Sequence, residues 1–392
     1  MSRISSADLF GAGPVRNVLS IRLGVLLIVA CLGCEQVSST PALAPSPPSA
    51  PAVTPQTSPT VNTVTPTAPV QPTPAANLED PQAAITKFFN TPSTERRDND
   101  VLRVCNLSSG TESINNMDLN SSPVTDEGIK NLTKLQNLET INFTSTRITE
   151  VGFAVTQDLP KLRSLNLTNV NITGAMLVTL GKLENLEDLS LERTTIGDAA
   201  LATLENLAHL KSLNLTGTQI SDNAFKHLEK MKSLDVLKIG HTAISGGGLK
   251  FLKRKKGESG LRVLDAQHSQ FGLAGLQYLR NVETLEELDL SQAEVTDRAL
   301  QALKGVHHLK KLILGFNQIS DQGLTILANT KGLEELSLRN VVMVGDFTLK
   351  NLAKNKDLLR LDINGTSCTI NGVTGLKKQL PNCEIRFMGA VQ

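Results

Sequence analysis

Residues 210–228 read Leu210-Lys211-Ser212-Leu213-Asn214-Leu215-Thr216-Gly217-Thr218-Gln219-Ile220-Ser221-Asp222-Asn223-Ala224-Phe225-Lys226-His227-Leu228. Leu213 and Leu215 alternate with polar neighbours, as in a short strand with one buried face. Phe225 and Leu228 stand three apart, the spacing of one helical face. The same register restarts at Ile114, Leu138, Leu162, Leu186, Leu210, Leu234, Leu261, Leu285, Leu309, Leu333 and Leu358. Successive starts lie 24 residues apart, except for one step of 27 after Leu234 and one of 25 after Leu333. A period of this size held through eleven units predicts a solenoid of strand-and-helix units.

A unit of two dozen residues has too little to bury to fold alone, so neighbours must stack and share one continuous core. Each strand then pairs with the next unit's strand. Strands pack closer together than helices do, so the stack curves with its parallel sheet on the inner side. These residues resemble the leucine-rich-repeat superfamily, in its short bacterial T-x-I-[ST]-D-x-G-L variety, and are similar to repeats in ribonuclease inhibitor and F-box adaptor proteins. The resemblance covers about residues 101–387, and nothing in the chain matches an F-box. It implies an α/β fold, a leucine-rich-repeat horseshoe with the sheet concave and short helices convex. It also implies a protein partner held on the concave face.

Several recurrent polar residues look catalytic in isolation and structural in repetition. Ser or Thr precedes the helix at Thr125, Thr149, Thr173, Ser221, Ser245, Thr296, Ser320 and Thr369. There a hydroxyl is expected to cap free N–H groups of its own helix. Asp follows at Asp126, Asp198, Asp222, Asp297 and Asp321, where its charge suits the helix dipole. A further Thr, Ser or Asn, such as Thr218 or Asn317, is expected to satisfy the backbone where the strand turns away.

The termini read differently. Arg16 and Arg22 flank the apolar run 23–30, which is too short to span a bilayer and fits a secretory signal. Ile28-Val29-Ala30-Cys31 resembles the lipobox of bacterial lipoproteins, which implies export to the cell envelope and a lipid on Cys31, with Cys34 as the alternative. Residues 36–78 carry no charge, and 11 of these 43 positions are Pro, so they are expected to form an extended, solvated tether. The expected organisation is a signal over 1–34, a linker over 35–80, an N-terminal cap over 81–113, eleven repeats over 114–379, and a cap strand and tail over 380–392. The cap includes Leu102-x-x-Cys105-x-Leu107, which has the strand spacing. Leu380-x-x-Cys383-x-Ile385 reads as the closing strand, with Cys383 and Ile385 pointing inward. Cys105, Cys368 and Cys383 read as buried small hydrophobes, with a Cys368–Cys383 disulfide as an open alternative.

Lys plus Arg is 39 against 38 Asp plus Glu, without the basic excess that nucleic-acid binding needs. Aromatics are 3%, with no Trp and only Tyr278, which argues against base-stacking platforms. No phosphate loop, H-E-x-x-H or G-x-S-x-G motif is present, and Gly246-Gly247-Gly248 falls at a repeat turn. No catalytic residue, metal or cofactor is therefore assigned. Specificity is expected at outward strand positions, because packing fixes the inward ones. Early units carry Asn142, Thr144, Asn166, Thr168, Asn214 and Thr216 there, whereas later units carry Lys238, His241, Asp265, Gln267, His268, Asp289, Ile313, Phe316 and Arg339. These nine form the expected partner-binding patch, with Ile313 and Phe316 at its apolar centre. Two alternatives stay open: an envelope hydrolase using His241, His268 and Asp265, and a purely structural surface protein. The basic run Lys253-Arg254-Lys255-Lys256 reads as a solvated loop.

Overall fold

A leucine-lined strand of three residues needs a partner on each side, and the chain provides one at every repeat. The computed structural model describes residues 80–253, 259–306 and 308–388. Twelve strands form one parallel sheet in strict chain order. They are β1 (Asn116–Asp118), β2 (Thr140–Asn142), β3 (Ser164–Asn166), β4 (Asp188–Ser190), β5 (Ser212–Asn214), β6 (Val236–Lys238), β7 (Val263–Asp265), β8 (Glu287–Asp289), β9 (Lys311–Ile313), β10 (Glu335–Ser337), β11 (Arg360–Asp362) and β12 (Glu384–Arg386). The register never slips, so Leu189, Leu213, Leu237 and Leu264 stand side by side. Together with the helix-face residues, such as Phe225 and Leu228, they belong to one continuous buried cluster running from Ile85 to Cys383. The fold is the expected solenoid, with its sheet on the concave side and short helical segments opposite. No helix among the described residues is long and apolar enough to cross a membrane. Cys31, Cys34, the tether as far as residue 79 and Arg254–Lys256 lie outside the described residues.

Polar residues at the turn behave as expected of local braces. The buried hydroxyls of Thr146, Thr194, Thr218 and Thr242 each donate to the carbonyl three residues back, at 2.6–2.7 Å. Asn317 does more. Its Oδ1 accepts from Ala293 and Val295 N–H, and its Nδ2 donates to Leu290, Leu314 and Gly315 carbonyls, which ties two units together. Ser122 is the exception: its buried hydroxyl has no partner.

The carboxylates reach farther than expected. Asp126 accepts both the N–H (2.8 Å) and the hydroxyl (2.6 Å) of Thr149 in the following unit. Asp198 does the same for Ser221, Asp297 for Ser320 and Asp346 for Thr369. Asp98, ahead of the repeats, clasps Thr125 in the same way. Each clasp thus joins two units, and the hydroxyl's bond to its own helix is secondary: Thr125 and Thr296 make none. Beside four of these clasps the following unit carries the glycine of the D-x-G-L pattern, whereas beside the Asp198–Ser221 clasp it carries the buried Ala224. A Cβ on Gly372 would stand 2.1 Å from Asp346 Oδ1, and one on Gly323 2.2 Å from Asp297 Oδ1. The 25-residue unit keeps the clasp by rerouting it, with Asp321 accepting from Gly345 N–H and from Thr348 N–H and hydroxyl.

Two expectations at the ends are corrected. Leu102-Cys105-Leu107 does not form a strand: residues Asp98–Cys105 are helix α2, which follows α1 (Pro81–Asn90). Here Val101, Val104 and Cys105 are buried at helical spacing, and Asp100 accepts the Arg97 N–H to start the helix. That periodicity outweighs the alternation of Leu102, Cys105 and Leu107. Cys105 is therefore a buried helix residue, its thiol pushed up to about 12 by burial. Between α1 and α2, the buried guanidinium of Arg96 lies 4.6 Å from the Phe88 ring and donates to the carbonyls of Thr91, Phe89 and Asp118, pinning the cap to β1. At the other end β12 is set two residues later than expected. Ile385 pairs with Leu361, the second leucine of its unit, not the third. The preceding helix, Ile370–Gln379, runs ten residues unbroken and delivers the chain to the sheet later. Cys383 thus precedes the strand, and Cys368 and Cys383 are free thiols with no bridge between them.

The clasp gives a sharp test. Gly372→Ala is expected to destabilise the protein by about 1–3 kcal/mol through overpacking against Asp346. In an Asp346→Ala background the same change should be neutral or stabilising, because alanine favours a helix interior. A double-mutant cycle from denaturant melts reads this coupling directly; additivity would count against it.

Candidate functional site

The first and third residues of each three-residue strand face the concave surface while the middle one is buried, and one row of them runs straight across the sheet. Pairing places Asn214, Lys238, Asp265, Asp289 and Ile313 side by side. The structure also shows what most of the row does. Asn142, Asn166 and Asn214 each accept the backbone N–H two residues on, at 2.9–3.0 Å. Asp265 accepts from Gln267 N–H (3.2 Å) and Asp289 from Ser291 N–H (2.8 Å). These carboxylates therefore brace turns as well as facing outward. Burial, and after it the neighbouring charge of Asp265, pushes the Asp289 carboxyl up, against the pull of its bonds to Ser291.

Lys238 and Ile313 cannot accept such a bond. Both are followed two residues later by glycine, at Gly240 and Gly315, where the other units of the row carry a side chain. A Cβ at Gly240 would lie 2.9 Å from Gln267 Cγ, and one at Gly315 3.0 Å from the Arg339 carbonyl. Gly240 makes room for the Gln267 side chain of the following unit, whereas the close neighbour of Gly315 is the Arg339 main chain. Both glycines were missed in the sequence, although the loss of the Thr, Asn or Ser seen at this position in the early units marks them.

His241, His268 and Phe316 lie on a different part of the surface. They occupy the third residue after the strand, which has a positive φ in all eleven units; the values are 54° at His241, 52° at His268, 52° at Gln292 and 60° at Phe316. A left-handed backbone costs an L-residue roughly 1–2 kcal/mol, and Gly217 and Gly365 take the place at no steric cost. The ladder enforces it: the N–H groups of His241, His268 and Phe316 donate to the carbonyls of Gln267, Ser291 and Arg339 at 2.8–2.9 Å. The side chains follow the backbone outward, and Phe316 is 55% exposed.

The two imidazoles stack, with centroids 4.1 Å apart and planes 15° from parallel. Ring lone pairs lie in the ring plane, so stacked rings present faces to each other and pass no proton between them. Asp265 bonds Gln267 through its second oxygen as well. These three residues do not form the hydrogen-bonded series that a base and its orienting carboxylate need. Among the described residues no group of three His, Cys, Asp or Glu is placed to hold a metal.

Beside the stack, on the edge of the solenoid, opens a groove of about 720 Å³. His268, Gln270, Gln292, Glu294, Phe316 and Gln318 line it. The nine expected residues thus fall into two sets. Lys238, Asp265, Asp289 and Ile313 form the strand row, with Gln267 and Arg339 flanking it; His241, His268 and Phe316 belong to the edge.

Family models described as leucine-rich repeat match residues 160–220 and, with a second model, 283–304 and 307–328. Among solved structures, an internalin (InlF) from Listeria monocytogenes is similar at 19% identity and a TM-score of 0.51, over 80% of this chain and 95% of that one. Internalin C2 from the same species is similar at 20% identity and a TM-score of 0.37, over 66% and 91% of the two chains. No curated protein matches the chain in sequence.

Exposed residues of the edge should be separable from the fold. Phe316→Asn, which tolerates a left-handed backbone, is expected to leave the melting temperature unchanged or raise it. Asn317→Ala, one residue on, removes five bonds from a buried site and should cost about 3 kcal/mol. Thermal and denaturant melts of the two variants check the contrast.

Proposed function

The chain is a leucine-rich-repeat protein, and we propose that it is a non-enzymatic binding module that holds a protein partner on its concave face. The observation that carries this reading is the strand row. Units one to five carry Asp118, Asn142, Asn166, Ser190 and Asn214, whereas units six to nine carry Lys238, Asp265, Asp289 and Ile313 in unbroken register, with a cation and an apolar side chain that the first five lack. An apolar side chain beside charged neighbours is the make-up of an interface centre with a polar rim. Gln267 and Arg339, set beside Gly240 and Gly315, widen that surface.

The module is exported and tethered to the cell envelope. Its anchor is a lipid on Cys31, or on Cys34, joined to the repeats by the proline-rich segment over 35–80. A single acyl chain binds membranes only marginally, so a durable anchor needs the multiple acylation of a lipoprotein N-terminus.

Capture of a partner from envelope extracts by the full chain tests the reading. Ile313→Asp combined with Lys238→Ala is expected to reduce recovery of a specific partner at least tenfold while leaving the circular dichroism spectrum unchanged. Equal recovery would reject the concave row. Mass spectrometry of the mature N-terminus is expected to find an acylated Cys31; an unmodified N-terminus would reject the anchor.

A further inference from the structure

The clasps between units are interrupted twice, once where Gly174 and Gly197 take the aspartate and hydroxyl positions and once where the edge also opens. Asp222 reaches Ser245 and the N–H of Gly246. The next two links are missing. Gly246 takes the place of the aspartate in the sixth unit, and the hydroxyl position that it would have clasped is Gly272. Leu273 takes the place of the aspartate in the seventh, which leaves Thr296 without a carboxylate partner; its hydroxyl makes no cap bond. The clasps resume at Asp297 and Ser320. Thr296 lines the edge groove, which occupies the turns of the units around this gap.

The lining has an unusual composition for a cleft of this volume. Sites for small organic molecules are mostly apolar, whereas this groove presents the side-chain amides of Gln270, Gln292 and Gln318. All three are exposed, and none makes a side-chain hydrogen bond among the described residues. Each amide offers one acceptor and paired donors, the complement of a peptide backbone. Glu294 is the one acidic group of the lining, no Lys or Arg joins it there, and it has no ion-pair partner among the described residues. Phe316 stands in the adjacent unit and supplies the large apolar contact.

We infer that the edge groove binds an extended, basic peptide segment of the partner, with a Lys or Arg against Glu294 and an apolar side chain on Phe316. The inference rests on the reading of the chain as a protein-binding module and adds a second point of contact to it. Adjacent units are roughly 5 Å apart, and alternate residues of an extended peptide face one side about 6.6 Å apart. Phe316 and Gln292 hold the same place in adjacent units and Glu294 lies two residues beyond Gln292, an offset that suits peptide side chains two positions apart. Glu294 sets the charge preference, the glutamines hold the main chain, and Phe316 fixes the register. An acidic ligand or a phosphate finds no Lys or Arg in this lining.

Selection of phage-displayed random heptapeptides on the full chain, followed by fluorescence anisotropy of the synthetic peptides, tests this. The expected result is enrichment of Lys or Arg two positions from Phe, Leu, Ile or Met. Binding of those peptides should fall at least tenfold for Glu294→Gln and for Phe316→Asn, weaken with added salt, and stay within twofold for the distant Arg193→Ala. Circular dichroism of each variant verifies that it is folded. Enrichment of acidic peptides, absence of any enrichment, or affinity indifferent to Glu294→Gln would overturn the inference. Partner capture that is sensitive to Ile313→Asp but not to Glu294→Gln would overturn the edge site alone and leave the concave module standing. Loss of all partner capture would remove the module reading itself.

Discussion

One carboxylate oxygen on a backbone N–H and the other on the adjoining hydroxyl is the contact that turns a row of weak units into a single body. The sheet alone fixes register along one side of the solenoid. The opposite side is made of short helical segments, most of them too brief to hold position by their own hydrogen bonds. The aspartate clasp joins those segments in pairs, two bonds at a time, at Thr125, Thr149, Ser221, Ser320 and Thr369. At four units it also favours a second residue, although Ala224 stands in that place beside the Asp198–Ser221 clasp. Gly128, Gly152, Gly323 and Gly372 are small because a neighbour's aspartate occupies the space of a Cβ. The D-x-G-L signature is therefore a statement about two units at once, with the aspartate serving the unit ahead and the glycine admitting the one behind.

That reciprocity explains why the repeat was readable while its chemistry was misassigned in part. Periodicity placed all eleven repeat strands and the concave sheet, because Leu213 and its equivalents have no other way to be buried. A single-unit view gave the aspartates to the dipoles of their own helices, since nothing in one unit reveals a bond to the next. The ends were harder for a related reason. Leu102, Cys105 and Leu107 satisfy a strand template, but Val101, Val104 and Cys105 satisfy a helix. With no preceding strand to pair with, the helix prevails. At Ile385 the two-residue displacement comes from a helix that continues over ten residues where earlier units break theirs.

The expected partner patch was partly legible. Departure from the Asn and Thr consensus identified Lys238, Asp265, Asp289 and Ile313, and pairing aligns them. It did not separate strand positions from turn positions, because that distinction rests on a backbone angle and not on residue type. His241, His268 and Phe316 look like members of the same series in the sequence, yet their positive φ turns them to the edge. Gly240 and Gly315 went unnoticed because a missing side chain draws little attention, although Gly240 makes space for the Gln267 side chain. The stacking of His241 on His268 likewise depends on ring orientation, which spacing alone does not give.

A structure assembled by adding like to like has no inherent reason to stop, and β12 provides one. It is three residues long and presents Glu384 and Arg386, 3.3 Å apart and both exposed, at the last free border of the sheet. Charged, short borders discourage a foreign strand from docking there, while at the opposite extremity Arg96 donates to the Asp118 carbonyl of β1. Such borders are expected to disfavour the joining of one copy to the next end to end.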